Sequence, residues 1–158
     1  MEKQKEVVQN DIAKGRSPES RYSENRSAEN ALAGNRSSAG RKQGVPGILL
    51  AAPASGSGKT AVSCALMGAF QKNGLAVKAC KCGPDYIDPL FHREVLGVDS
   101  ENLDLFFSDE DILEKIYARH GEGADLVITE GVMGYYDGMS LGSAKASSYH
   151  VARALKLP

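Results

Sequence analysis

Apolar residues are spread unevenly along the 158-residue chain: sparse up to position 44, then recurring in two alternating patterns. Short continuous runs at 47–53 (GILLAAP), 76–83 and 124–129 (ADLVIT) have the composition of strands buried on both faces of a sheet. Between them the spacing changes to three and four. Val62, Leu66, Met67 and Phe70 mark a helix over 60–73, with Gly74 where a C-terminal cap belongs. Residues 89–96 read as a short helix, 109–120 as a longer one with Ile112, Leu113 and Ile116 inward, and 147–155 as a last helix. The alternation predicts an α/β fold, a mostly parallel sheet with helices on both faces. Three strands are few for such a sheet. The next strand is due where the sequence stops, at Pro158, so the chain is expected to be a fragment, with a domain incomplete at its C-terminus.

Charge separates the two parts. Residues 1–44 carry nine Lys/Arg and six Asp/Glu, whereas 45–158 carry ten and fourteen. The first part falls into five-residue units from Arg16 to Gly40: RSPES, RYSEN, RSAEN, ALAGN and RSSAG. Five is neither a helical nor a strand period and is far below any solenoid unit, so residues 1–44 are expected to be a disordered, low-complexity tail. The tail has no apolar core of a secretory signal, and its interleaved Glu residues argue against a transit peptide. The whole chain has a net charge of −1, which gives no footprint for nucleic acid or acidic lipid. The longest apolar run, 45–54, is about half of the ~20 residues a spanning helix needs. Neither a nucleic-acid nor a membrane partner is expected. Cys64, Cys80 and Cys82 are odd in number and lack paired CxxC spacing; they read as reduced, packed thiols, which points to the cytoplasm. His92, His120 and His150 read as surface or packing residues.

The most informative stretch is ILLAAPASGSGKTAVSCALMGAF, residues 48–70. A strand, a Gly/Ser turn and a helix opening on Gly58-Lys59-Thr60 have the layout of a phosphate-binding P-loop. Ser55, Gly56, Ser57 and Gly58 would turn backbone amides toward phosphate oxygens at the positive end of the helix. Lys59 would reach the β- and γ-phosphates of ATP, and the Thr60 hydroxyl would coordinate Mg2+. The strict pattern asks for Gly at position 53, and this chain has Pro53. Ala54 stands where partitioning-type ATPases carry a second lysine, which disfavours that subclass.

Two further strand ends carry chemistry. In KCGPDYIDP, residues 81–89, Lys81 and Asp85 leave the carboxyl end of a strand taken to lie beside the P-loop strand, and Asp85 and Asp88 form a candidate magnesium or substrate cluster. In LVITEGVMGYYDG, residues 126–138, an apolar strand ends on Glu130, a candidate metal ligand. Gly131 and Gly134 are expected to carry Tyr135, Tyr136 and Asp137 over the site. An Asp/Pro turn and an Asp turn are the plain rivals at Asp85–Asp88 and at Asp137.

APASGSGKT, KCGPDYIDPLFH, NLD at 102–104 and EGVMGYYDG, in this order, resemble the N-terminal synthetase domain of the cobyrinic acid a,c-diamide synthase family over residues 46–158. The resemblance implies a P-loop NTPase-like domain that uses ATP and Mg2+ to amidate the a and c acetates of a corrinoid through an acyl phosphate. Ammonia would come from glutamine in a glutaminase domain absent from this sequence. It implies catalytic roles for Lys59, Lys81, Asp88 and Asp137, a metal site on Thr60, Asp85 and Glu130, and Tyr86 at the corrinoid. Relatives acting on hydrogenobyrinic acid or nickel sirohydrochlorin share these motifs. A carboxylate-activating enzyme resembling dethiobiotin synthetase and a non-catalytic nucleotide-binding remnant stay open.

Overall fold

The computed structural model describes residues 44–140 and 142–158. The tail expected at residues 1–44 lies, but for Gly44, outside the described residues. Among these, strands and helices alternate as β1 (Gly47–Leu50), α1 (Lys59–Lys72), β2 (Val77–Cys82), α2 (Ile87–Leu96), β3 (Ser100–Leu103), α3 (Glu110–His120), β4 (Leu126–Glu130) and α4 (Ser148–Leu155). Asp109 and Ser147 cap α3 and α4, their side chains accepting from the amides of Ile112 and His150.

The four strands form one parallel sheet in the order β1-β4-β2-β3. Two expectations are corrected here. The strand at 77–82 does not lie beside the P-loop strand; β4 stands between them, pairing Leu50 with Glu130 on one side and Lys81 with Glu130 on the other. A fourth strand, β3, escapes the hydrophobic pattern because its sequence, SENL, has one large apolar residue and needs no more on the sheet edge. On the opposite edge, the Leu49 amide donates to the carbonyl of Pro158 at 2.9 Å.

Side chains alternate across the sheet and build two cores. Met67, Val77, Ala79, Val98 and Ile128 fill one, with Ile48, Leu50, Leu66 and Phe70 packed around them from β1 and α1. Cys80, Cys82, Leu103, Leu113, Tyr117, Val127 and Val151 fill the other, beneath α3 and α4. Helices therefore cover both faces, as an α/β reading requires. Helical phase differs from expectation in two places. Ser63 and Met67 are the buried pair of α1 while Val62 is 52% exposed, and Leu113 and Tyr117 are the buried pair of α3 while Ile112 is 45% exposed. In both, residues four apart share the inward face.

A Cβ on Gly47 would collide with the Tyr117 hydroxyl and meet the Val127 carbonyl at 3.0 Å. Gly47→Ala is expected to destabilise the chain by about 1–3 kcal/mol, as overpacking does, read by urea unfolding, with part of the loss recovered when Tyr117, whose hydroxyl has no hydrogen-bond partner among the described residues, is also replaced by Phe. His120 Nε2 donates to the Ala79 carbonyl at 2.9 Å, and burial holds the imidazole below its ordinary 6.5 against the nearby Asp99 and Glu101 carboxylates. A depressed base binds its proton more readily in the unfolded chain, so stability is expected to fall as pH drops below 6.5. His120→Gln should flatten that slope in unfolding measured across the acidic range.

Candidate functional site

After β1 the chain turns through residues 51–58 into α1. Gly56 and Gly58 take positive φ of 75° and 82°, with nothing within 4 Å of an added Cβ, so it is the left-handed backbone rather than space that requires glycine. Gly58 is the N-cap of α1 and supplies no side-chain acceptor, and the first turn holds no acidic residue. The amides and partial positive charge at this helix end are left for an anion. Ser57 turns its hydroxyl back to the Ala54 carbonyl at 2.9 Å.

Lys59, the first residue of α1, extends across the loop. Its ammonium donates to the carbonyls of Met133 at 2.6 Å and Ala54 at 3.1 Å. Thr60 donates its hydroxyl to Glu130 Oε1 at 2.6 Å, and Lys81 Nζ donates to the same oxygen at 2.8 Å. Lys81 also reaches Asp88 Oδ2 at 2.7 Å and lies 3.9 Å from Asp85 Oδ2. The sheet register explains the convergence: Lys81 and Glu130 are direct partners at the carboxyl ends of β2 and β4. Burial alone would lower the Lys81 ammonium, but hydrogen bonds to Asp88 and Glu130 and their charges outweigh it, leaving its pKa above the ordinary lysine value.

Asp85 has a double duty. Its Oδ1 accepts from the amides of Ile87 at 2.9 Å and Asp88 at 3.2 Å and so starts α2, while Asn102 on β3 donates to its backbone carbonyl at 2.7 Å. A cleft of about 440 Å3 opens between the P-loop and the strand ends, lined by Gly56, Gly58, Lys59 and Thr60 on one side and by Lys81, Asp85 and Glu130 on the other. That volume is within the roughly 300–1,000 Å3 of small-ligand pockets. Glu130 is fully buried, and its Oε2 has no hydrogen-bond partner among the described residues. A fully buried carboxylate oxygen left unpaired beside a threonine hydroxyl and a second carboxylate fits a hard, oxygen-seeking cation such as Mg2+. Among the described residues no three His, Cys, Asp or Glu side chains form a metal nest by themselves; the acidic residues surround Lys81 instead.

The sequence-predicted residues therefore divide. Ser55, Gly56, Gly58, Lys59, Thr60, Lys81, Asp85 and Glu130 share the cleft, and Asp88 joins through Lys81. Ser57 contributes to the loop's own bonding, and Tyr86, the N-cap of α2, is 84% exposed. Asp137 does not line the cleft; its carboxylate accepts from the Gly134 amide at 2.8 Å, and the Tyr135 amide donates to Ala52 O at 2.8 Å just past the end of β1. Asn102 entered the sequence analysis only as part of the NLD motif, with no role of its own, and the Met133 carbonyl did not enter it. Asn102 sits on the strand that lacks a strand pattern, and a backbone carbonyl leaves no signal in residue type. Burial raises the thiols of Cys64, Cys80 and Cys82, the last to about 12, so none is set up as a nucleophile.

Residues 48–142 match the family model described as CobQ/CobB/MinD/ParA nucleotide binding domain. The chain is 47% identical over 111 residues to a cobyrinate a,c-diamide synthase of Gloeobacter violaceus, covering 70% of this chain and 25% of the relative. It is 46% identical over 112 residues to one of Listeria innocua, again covering 70% and 25%. It is 42% identical over 114 residues to a hydrogenobyrinate a,c-diamide synthase of Streptomyces coelicolor, covering 72% and 24%. The chain thus spans about a quarter of the length of the curated relatives it matches. No solved structure matches it.

Removing the central ammonium tests the electrostatics. Lys81→Met leaves the buried Glu130 carboxylate without its ionic partner and is expected to cost roughly 3–5 kcal/mol in urea unfolding, the usual consequence of breaking a buried pair. Adding Glu130→Gln should recover most of that loss.

Proposed function

The chain belongs to the CobQ/CobB/MinD/ParA nucleotide-binding domain family, and on that premise we propose that it is the ATP- and Mg2+-binding part of a glutamine-dependent a,c-diamide synthase of cobalamin biosynthesis. The reading is supported above all by one observation: Thr60, Lys81 and Glu130, from three separate segments, meet through a single carboxylate oxygen beside the P-loop. In the proposed reaction the a and c acetate carboxylates of cobyrinic acid are activated as acyl phosphates, and ammonia released from glutamine by a domain outside this chain displaces phosphate. Magnesium, held by Thr60, Asp85 and Glu130, would supply charge neutralisation at the phosphates.

The chain's own residues have definite parts in this scheme. The loop amides and the N-terminus of α1 bind the phosphates, and Lys59 points its remaining N–H at them. Lys81, at the strand end, adds positive charge where two anions, carboxylate and phosphate, must approach each other. Asp88 fixes the Lys81 ammonium, and Tyr86, exposed at the start of α2, is available to the corrinoid. Relatives named hydrogenobyrinate a,c-diamide synthase match nearly as well as those named for cobyrinate, so hydrogenobyrinic acid is the second candidate substrate. Among the described residues no helix is long and apolar enough to cross a membrane. The free thiols of Cys64, Cys80 and Cys82 favour a cytoplasmic setting for the proposed reaction.

Titration of the chain with ATP, with and without magnesium, tests the reading. Binding is expected to require the metal and to weaken by roughly tenfold or more in Lys59→Met, the loss of a charged hydrogen bond to phosphate. Binding indifferent to both changes, or no binding at all, contradicts the proposal.

A further inference from the structure

Asp137 stands outside the cleft, yet it is joined to Lys59 by an unbroken chain of bonds. We propose that Asp137 is a positioning residue, which holds the turn at Gly134 so that the Met133 carbonyl fixes the Lys59 ammonium. The carboxylate accepts from the Gly134 amide at 2.8 Å while the Asp137 amide donates to the Gly134 carbonyl at 3.0 Å, closing the turn from both ends. The turn is pressed on the start of the P-loop: a Cβ on Gly134 would come within 2.5 Å of both Pro53 O and Asp137 Oδ2. Tyr135 pins the next residue by donating to Ala52 O at 2.8 Å.

Met133, just ahead of this turn, has a φ of +50°, a left-handed conformation uncommon for a residue with a side chain. That side chain is 55% exposed and makes no core. What the conformation provides is the direction of the carbonyl, 2.6 Å from Lys59 Nζ. Ala54 O takes a second N–H of the same ammonium, so of three donors one is left, and its direction is set. A lysine ordered before its ligand arrives loses less side-chain freedom on binding. The inference rests on the nucleotide reading only for what that third N–H meets. A carboxylate acting by charge on metal or phosphate would lie in the cleft; this one is bonded to a neutral amide.

The test uses the full chain labelled with 15N, the variants Asp137→Ala, Asp137→Asn and Gly134→Ala, and two nucleotide-free readouts: amide exchange at Gly134 and the ammonium resonance of Lys59, which is visible only when its protons are held. Magnesium-ATP titration is the third. Asp137→Ala is expected to speed Gly134 exchange at least tenfold, to erase the Lys59 resonance and to weaken nucleotide binding several-fold. Asp137→Asn, whose amide oxygen can accept the same bond, should restore all three. Gly134→Ala, whose Cβ would push away both Pro53 O and the Asp137 carboxylate, should erase the resonance as well. The proposal is overturned if Asp137→Asn binds as poorly as Asp137→Ala while Gly134 stays protected, since charge would then be the active property. It is equally overturned if Asp137→Ala leaves the Lys59 resonance intact. A wild-type chain that binds no nucleotide defeats the functional reading alone, because the two nucleotide-free readouts still decide the positioning role.

Discussion

A single buried carboxylate oxygen organises the structure. Glu130 ends β4 with no exposure to solvent, and its Oε1 accepts at once from Thr60 and Lys81. An ionised group at that depth must be compensated, and the compensation must come from both sides of the strand. It fixes β4 between β1, which leads to Thr60, and β2, which carries Lys81. Buried ion pairs generally add little to stability over a well-packed apolar alternative. The arrangement is therefore better understood as placing charge than as holding the fold together; the two apolar cores do the latter.

The period of two along a strand then decides which residues can take part. Val77, Ala79 and Lys81 alternate with Cys80 and Cys82, and Ile128 and Glu130 with Val127, so one face of the sheet holds the α1 core and, at its carboxyl end, the charged pair. A one-residue slip of β2 would bury Lys81 beneath α3 and turn Cys82 toward the P-loop. Asp85 lies just past this end, and its conformation is held by four hydrogen bonds: two at the start of α2, one from Asn102 and one from its own amide to the Gly83 carbonyl. The loop position of Asp85 is thus inherited from β2, just as Lys81 and Glu130 take theirs from the strand ends themselves.

Much of this was legible in the sequence. The apolar runs located three strands, the glycine-rich turn located the P-loop, and the acidic and basic residues closing those runs located most of the cleft. The reasons for what was not legible are specific. β3 pairs on one side only and carries Ser100 and Asn102, so hydrophobicity could not announce it. Sheet order is a property of space, and nothing in the order of runs says that the third of them inserts between the first two. The phase of α1 is set by Gly58 and by the demand that Thr60 face Glu130, which turns Ser63 inward and Val62 outward, against their polarity. Asp137 and Tyr86 belong to motifs whose members are close in sequence, but a motif does not say which way each side chain points.

The charge balance of the cleft bears on the proposed reaction. Asp85, Asp88 and Glu130 converge on Lys81, and Lys59 is the one other side-chain cation lining the cleft among the described residues. Two carboxylates and two ammonium groups line the cleft, and Asp88 behind Lys81 tips the cluster to three against two where a polyanionic phosphate tail would enter. Helix-end and loop amides offset part of this excess. The rest calls for a divalent cation, and the unpaired Oε2 of Glu130 offers it a ligand without displacing any bond the protein already makes. Under the proposed function, this surplus of one carboxylate would favour a phosphate that arrives with its metal over a bare polyanion.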